Sequence, residues 1–184
     1  EASFLKAYYH FLLVSNYGPI PIVDVNLPIS ASDEEVRLDR KSVDECFTYI
    51  VETIDNAIND LPERVIGNND LGRIDQVIAK SIKSKVLLFS ASPLFNGNTQ
   101  FYAGFVNADG QNYFNQSYDE SKWEFAAIAA KEAFEADPST EMAKYAKLDD
   151  VDVLSALKIF TTNDDFLLSF QSKSLLDRRL FRVE

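Results

Sequence analysis

A chain of 184 residues, 46% of them apolar, is long enough to bury a sizeable core, and its net charge of −11 argues against sequence-independent nucleic-acid binding, which rests on Lys and Arg neutralising phosphates. Its apolar runs, such as Phe11 to Val14 and Val86 to Phe89, fall far short of the roughly 18 to 20 residues a helix needs to cross a bilayer. Cys46 and His10 are each the sole residue of their kind, which excludes an intrachain disulfide, a thiolate zinc cluster and a local histidine-based metal site or relay.

Residues 2 to 16 carry Phe4, Tyr8, Phe11, Leu12 and Ser15 along one face, with Ala7 and Val14 beside it, and this spacing predicts an amphipathic helix. The sequence starts at Glu1, inside that helical pattern, with no Met, basic stretch or apolar stretch ahead of it. It therefore shows no targeting signal and reads as a piece of a longer chain. His10, between Tyr9 and Phe11, reads as a packed ring with one hydrogen bond. Gly18 ends the helix, and two prolines within Pro19 to Val23 predict an extended crossing with Ile20 and Ile22 turned to the core. Asp24 to Asp39 reads as an acidic polar loop.

Ser42 stands three residues before Glu45, a capping box, and Val43, Phe47, Ile50, Ile54, Ala57, Ile58 and Leu61 then repeat at helical spacing up to Pro62. Cys46, on this helix, reads as a small buried hydrophobe rather than a nucleophile. A turn-rich connector, Asn68 to Gly72, leads to a helix over 75–91 with Asp75 as N-cap. Lys80 and Lys83 mark its wet side. Val86 to Phe89, followed by Ser90, Ala91 and Ser92, is apolar or small on every face, the pattern of a helix surrounded by others, so these four large residues are expected inside. Pro93 stops the helix and Asn96-Gly97 supplies a turn.

From Asn98 to Glu120 six aromatics (Phe101, Tyr102, Phe105, Tyr113, Phe114, Tyr118) lie among Asn, Gln, Gly and Asp without a period, a long loop of the kind that carries function. Lys122 to Phe134 predicts a helix on alanine propensity, with Trp123 in the core; its W-x-x-A-x-x-A spacing ahead of Asp137-Pro138 resembles the first helix of a tetratricopeptide unit, without a second copy at that period. Thr161 to Asp165 reads as a turn and Phe166 to Phe170 as a short buried strand; Arg178, Arg179 and Arg182 read as solvated or partner-packed.

Three ordered blocks carry a family resemblance. Glu1 to Phe11 followed by Tyr17-Gly18-Pro19-Ile20-Pro21-Ile22-Val23, then Arg40 to Glu45 through Asp55-Asn56-Ala57 to Leu61-Pro62, and then Gly72-Arg73, Ala79, Leu88-Phe89 and Ala91-Ser92-Pro93-Leu94-Phe95-Asn96-Gly97, are similar to the SusD/RagB family of nutrient-binding outer-membrane lipoproteins of Bacteroidetes. The resemblance implies a mainly α fold of tetratricopeptide-like stacked antiparallel helix pairs with short extended segments, residues 1–184 forming one helical domain of a longer chain. It also implies a protein at the extracellular face of the outer membrane that captures glycan, or in some relatives peptide, and hands it to a SusC-like TonB-dependent transporter, with no chemistry and no cofactor. The family's lipidated cysteine has no counterpart here, since Cys46 is internal to a helix. No family binding residue transfers by motif.

The residues themselves offer little for catalysis: no nucleophile elbow, no metalloprotease motif, and a sole histidine that rules out a local Ser-His-Asp set. Carboxylates suffice for a glycosidase, but nothing singles out a pair. Asp149, Asp150, Asp152, Asp164 and Asp165 read as turn and solvated residues rather than calcium ligands. Sugars present apolar C–H faces with hydroxyl rims and call for rings beside amides. Phe101, Tyr102, Asn107, Asn112 and Tyr113 supply that combination and are the candidate ligand-binding residues, against the alternative that these rings fold inward to anchor the loop. A helical-repeat interaction scaffold is the rival function, and a helical glycosidase a weaker one.

Overall fold

The computed structural model describes residues 1–70 and 72–136. Four long helices dominate them: α1 (Ala2–Tyr17), α3 (Val43–Ile58), α4 (Gln76–Ala91) and α6 (Ser121–Glu135). Two single-turn helices, α2 (Asp33–Val36) and α5 (Thr99–Tyr102), sit in the connections. The predicted turn and strand over 161–170, the Asp149–Asp152 and Asp164–Asp165 clusters, Asp137-Pro138 and the arginines at 178, 179 and 182 lie outside the described residues.

The helices begin where the sequence caps them. Ser42 Oγ accepts from the Glu45 N–H at 3.3 Å while Glu45 Oε2 accepts from the Ser42 N–H at 2.9 Å, the reciprocal box that opens α3. Asp75 Oδ1 caps α4 by accepting from the Ile78 N–H at 2.9 Å, and its Oδ2 takes the Val65 N–H at 3.3 Å, tying the preceding connector to the helix start. Gly18, at φ 70°, ends α1 with its N–H on the Val14 carbonyl. Ser92 leaves the helical region ahead of Pro93 and closes α4. The Ser42 hydroxyl and amide hold the Glu45 carboxyl below its ordinary value of 4.5. A carboxyl depressed on folding stabilises the protein above its unfolded value and loses that contribution as pH falls through the folded one. The Glu45→Gln variant should therefore differ from the parent in unfolding midpoint at pH 7 and converge with it on acidification below the carboxylate range; a gap unchanged across that range would show that the charge does not matter to the cap.

Helix pairing follows from which residues meet. Gln76, at the start of α4, bonds to the Leu61 and Pro62 carbonyls just past α3, and Lys83 reaches Asp55, so α3 and α4 run antiparallel. Lys83 also faces Glu132, and residue 96 meets residue 119, which sets α6 antiparallel to α4. Glu1 lies against Arg73 and Ile74, and Phe11 against Phe89, so α1 runs parallel to α4. These are stacked antiparallel helix pairs of tetratricopeptide type. Small residues suit the close approach of α4 and α6: Ser90 and Ala91 of α4 and Ala126 and Ala129 of α6 are all buried, while Ala79 of α4 joins the core with α1 and α3. The core joins Phe4, Ala7, Phe11 and Val14 of α1 to Val43, Cys46, Phe47, Ile50, Ile54 and Ala57 of α3 and to Val86 of α4.

Pro19 to Val23 is not helical, in keeping with its two prolines, with Ile20 buried and Ile22 packed at the core edge. The Ile20 carbonyl accepts from the Lys41 N–H at 2.9 Å and lies 3.5 Å from the Cys46 thiol, which is buried and pushed up in pKa by that burial.

Several expectations are corrected. Leu88 is 44% exposed, while Val86 is fully buried and Leu87 and Phe89 half-buried, because α1, α3 and α6 leave one side of α4 open. Lys83 is not on a wet side: its side chain is largely buried between Asp55 at 2.7 Å and Glu132 at 4.0 Å. On α1 the buried stripe is Phe4, Ala7, Phe11 and Val14 together with His10, and Leu12 faces out. His10 makes two hydrogen bonds, Nδ1–H to the Lys6 carbonyl at 2.8 Å and Nε2 from the Val23 N–H at 3.3 Å, which fixes its tautomer. The 24–39 loop contains α2, opened by a second capping box of Ser32 and Glu35. Trp123 is half-buried rather than in the core.

Candidate functional site

The aromatic loop is a built structure. It departs from α4 through Phe95-Asn96-Gly97 and is closed on itself by Asn96. The Asn96 Nδ2 donates to the Asp119 carbonyl at 2.8 Å and its Oδ1 accepts from the Asp119 N–H at 2.9 Å, a side-chain amide paired with both backbone groups of a residue 23 positions on. Gly97 passes so near the returning chain that a Cβ there would lie 2.5 Å from the Tyr118 backbone nitrogen. Asn98 Oδ1 caps α5 by accepting from the Phe101 N–H.

A small hairpin follows. Val106 and Asn112 pair as an antiparallel bridge, the Asn107 N–H donates to the Gln111 carbonyl at 2.8 Å, and Asn107 Oδ1 accepts from the N–H groups of Asp109 and Gln111. At its base the Tyr113 carbonyl accepts from the Val43 N–H at 2.8 Å, satisfying an amide that the first turn of α3 leaves without a helical partner. Phe114 then drops into the core. Its ring is 2% exposed, stacks on Tyr102 at 3.7 Å with an interplanar angle of 4°, and continues through Phe95 to Phe47 and Phe89.

The five candidate residues therefore divide. Phe101, on α5, points to solvent at 69% exposure and makes no ring contact among the described residues. Tyr102, beside it, is half-buried with one face spent on Phe114. Tyr113 is half-buried and packs on Phe105 at 5.0 Å. The Asn107 oxygen holds its own hairpin, leaving the amide nitrogen as the group an acceptor could meet. Asn112 is exposed on the hairpin. Tyr102 and Tyr113 come together through Phe105 and Phe114, and Asn107 and Asn112 share the hairpin. Phe105, part-exposed and touching both Tyr113 and Phe114, belongs to this surface although composition alone did not separate it from its neighbours.

A second concavity, unforeseen in the sequence, lies between α3 and α6 over α4, with Phe47, Val51, Leu87 and Ala129 below and Phe125 and Ile128 on one wall. Among the described residues no group of three His, Cys, Asp or Glu side chains could hold a metal ion, and no helix is long and apolar enough to cross a membrane.

Residues 1–88 match a SusD-like family model described as "Starch-binding associating with outer membrane". Among solved structures, BT4246 is 35% identical with a TM-score of 0.68, 76% of this chain aligning with 24% of that one. Selenomethionine BT4246 is 34% identical with a TM-score of 0.61, covering 74% of this chain and 22% of that one. A SusD-like protein, BF3747, from Bacteroides fragilis NCTC 9343 shares the fold at 22% identity and a TM-score of 0.51, over 73% of this chain and 20% of that one. The chain thus spans between a fifth and a quarter of the length of these structures. No curated protein matches it.

Proposed function

The chain belongs to the SusD/RagB family, and on that premise we propose that it binds glycan, or another nutrient oligomer, without transforming it. The family is described as starch-binding and associated with the outer membrane. The finer reading places this protein at the extracellular face, delivering its ligand to a SusC-like TonB-dependent transporter, with residues 1–184 serving as one helical domain of the whole.

The observation that carries the binding reading is the open ring of Phe101 beside a Tyr102 ring already immobilised by its stack on Phe114. A sugar needs an apolar face to lie on, and a platform that is rigid before binding loses little entropy when the ligand arrives. Tyr113, Asn107 and Asn112 supply further ring edge and amide groups on the adjoining hairpin.

Phe101 gives the clean test, because it is open and unsupported. In native gels containing a panel of polysaccharides, Phe101→Ala should weaken retardation by about 1–3 kcal/mol, the size of an aromatic contact in a binding surface. Its unfolding free energy should stay within about 0.5 kcal/mol of the parent. Tyr102→Ala should weaken binding as well, with a loss of stability because Phe114 is uncovered. Retardation that survives both replacements would remove the loop from ligand capture, and new reducing ends would replace capture by hydrolysis. Co-purification of a TonB-dependent transporter from native membranes tests the delivery step.

A further inference from the structure

The groove over α4 is apolar at its base and acidic along both walls. α6 packs on α4 through Ala126 and Ala129, which leaves Phe125 and Ile128, on the neighbouring stripe, lining the groove and part-exposed. Its volume is about 480 Å³. It runs from residue 44 to 52 on α3 and from 125 to 132 on α6, so about 12 Å of helix wall is available, room for two turns of a partner helix.

Four carboxylates and two lysines line it. Lys122 is bonded to Asp44, and Asp119 is engaged by the Ser121 amide and hydroxyl. Lys83 is bonded to Asp55 at 2.7 Å and stands 4.0 Å from Glu132. Both cations are thus committed. Glu52 on α3 has no charged or hydrogen-bonding side-chain partner among the described residues, and Glu132 on α6 has only the long contact to Lys83. The result is an apolar trough with an unpaired carboxylate, Glu52, on one side and a carboxylate held only by the long Lys83 contact, Glu132, on the other.

From this complementarity we infer that the groove docks a cationic amphipathic segment of a protein partner, with large apolar side chains seated between Val51, Leu87, Phe125 and Ile128 and flanking Lys or Arg meeting Glu52 and Glu132. Such a segment fits the groove because its base is largely apolar and its walls offer carboxylates to cations. The chain's net charge of −11 steers the same partner toward it.

The probe is a short fluorescent peptide alternating leucine pairs with lysines, titrated by anisotropy against the whole chain at near-physiological salt. Two control peptides replace every Lys by Glu or every Leu by Ser. Binding of the Lys–Leu peptide should exceed both controls. The pair Glu52→Lys with Glu132→Lys should weaken it by about tenfold or more, and Ile128→Ser by several-fold, at unchanged helical content. Glu34→Lys with Glu63→Lys makes the same change in net charge at exposed positions away from the groove and should leave binding within about twofold. Equal loss in that control pair would reduce the effect to overall charge and overturn the inference. So would equal binding of the serine peptide, or no binding at all.

Discussion

Replacing Phe114 by alanine is expected to lower the unfolding free energy by about 3–5 kcal/mol, the loss usual for a fully buried phenylalanine. The ring is where the aromatic loop meets the helical core. Tyr102 stacks on it at 3.7 Å, Phe105 and Phe95 lie at 6.1 Å and 6.2 Å, and Phe95 in turn sets its edge against Phe47 of α3. The ring tip also comes 3.3 Å from where a Cβ on Gly18 would be, so the residue that ends α1 is small where the loop's anchor needs room. Little can collapse into the space that Phe114 would leave, because its neighbours are themselves held by helices α3 and α4 and by the Tyr113 carbonyl on the Val43 amide. Phe114→Leu keeps most of the buried surface and loses the stacking, and should cost less, about 1–2 kcal/mol. Urea denaturation of both variants checks the pair. A loss below about 1 kcal/mol for the alanine variant would mean that the loop folds independently of the core. Loss of glycan retardation should accompany the destabilisation, since Tyr102 rests on the same ring.

Local signals made α3 and α4 legible. The Ser42–Glu45 box, the Asp75 cap and the Gly18 and Pro93 stops act within one turn, and the structure places each boundary within about two residues of where those signals put it. The same box at Ser32 and Glu35 was available and marks α2, but without an apolar period behind it the segment reads as loop. α1 shows the limit of periodicity. Leu5, Tyr9, Leu12, Leu13 and Tyr17 form an exposed apolar face opposite the buried one, so two stripes compete and spacing cannot choose between them. Lys83 and Leu88 exchange their expected places for a related reason: which side of α4 is covered depends on Asp55 and Glu132 from other helices, far away in sequence. The loop's composition pointed to a binding surface, yet the burial of Phe114 depends on residues outside the loop, Phe95 after α4 and Gly18 at the end of α1, which composition does not bring together. The groove was invisible for the same reason, being made from three helices, none of which carries a motif for it.

Gly97 is expected to be the least replaceable glycine of the chain, and the comparison that isolates its role is with Gly110. Both have positive φ, 71° and 79°, so any side chain at either meets the left-handed penalty of about 1–2 kcal/mol. Around Gly110 nothing lies within 4 Å of an added Cβ; at Gly97 that carbon would meet the Tyr118 nitrogen at 2.5 Å, its Cα at 2.7 Å and the Ser117 carbonyl carbon at 2.8 Å. These are backbone atoms and cannot rotate away. To make room, the 117–119 segment of the loop must move, and the first interaction it would break is the paired amide contact between Asn96 and Asp119. Asn96 is buried, so its freed oxygen and nitrogen would each forfeit a hydrogen bond without gaining water, about 1–3 kcal/mol for an unsatisfied group on top of the strain. Gly97→Ala should therefore cost roughly 3 kcal/mol or more and Gly110→Ala about 1–2 kcal/mol, measured by denaturant unfolding. Asn96→Ala should reproduce most of the excess while leaving φ untouched. If Gly97→Ala proves no worse than Gly110→Ala, the close approach of the two chain segments is not what holds the loop. The closing contact would then have to be sought in Phe114 alone.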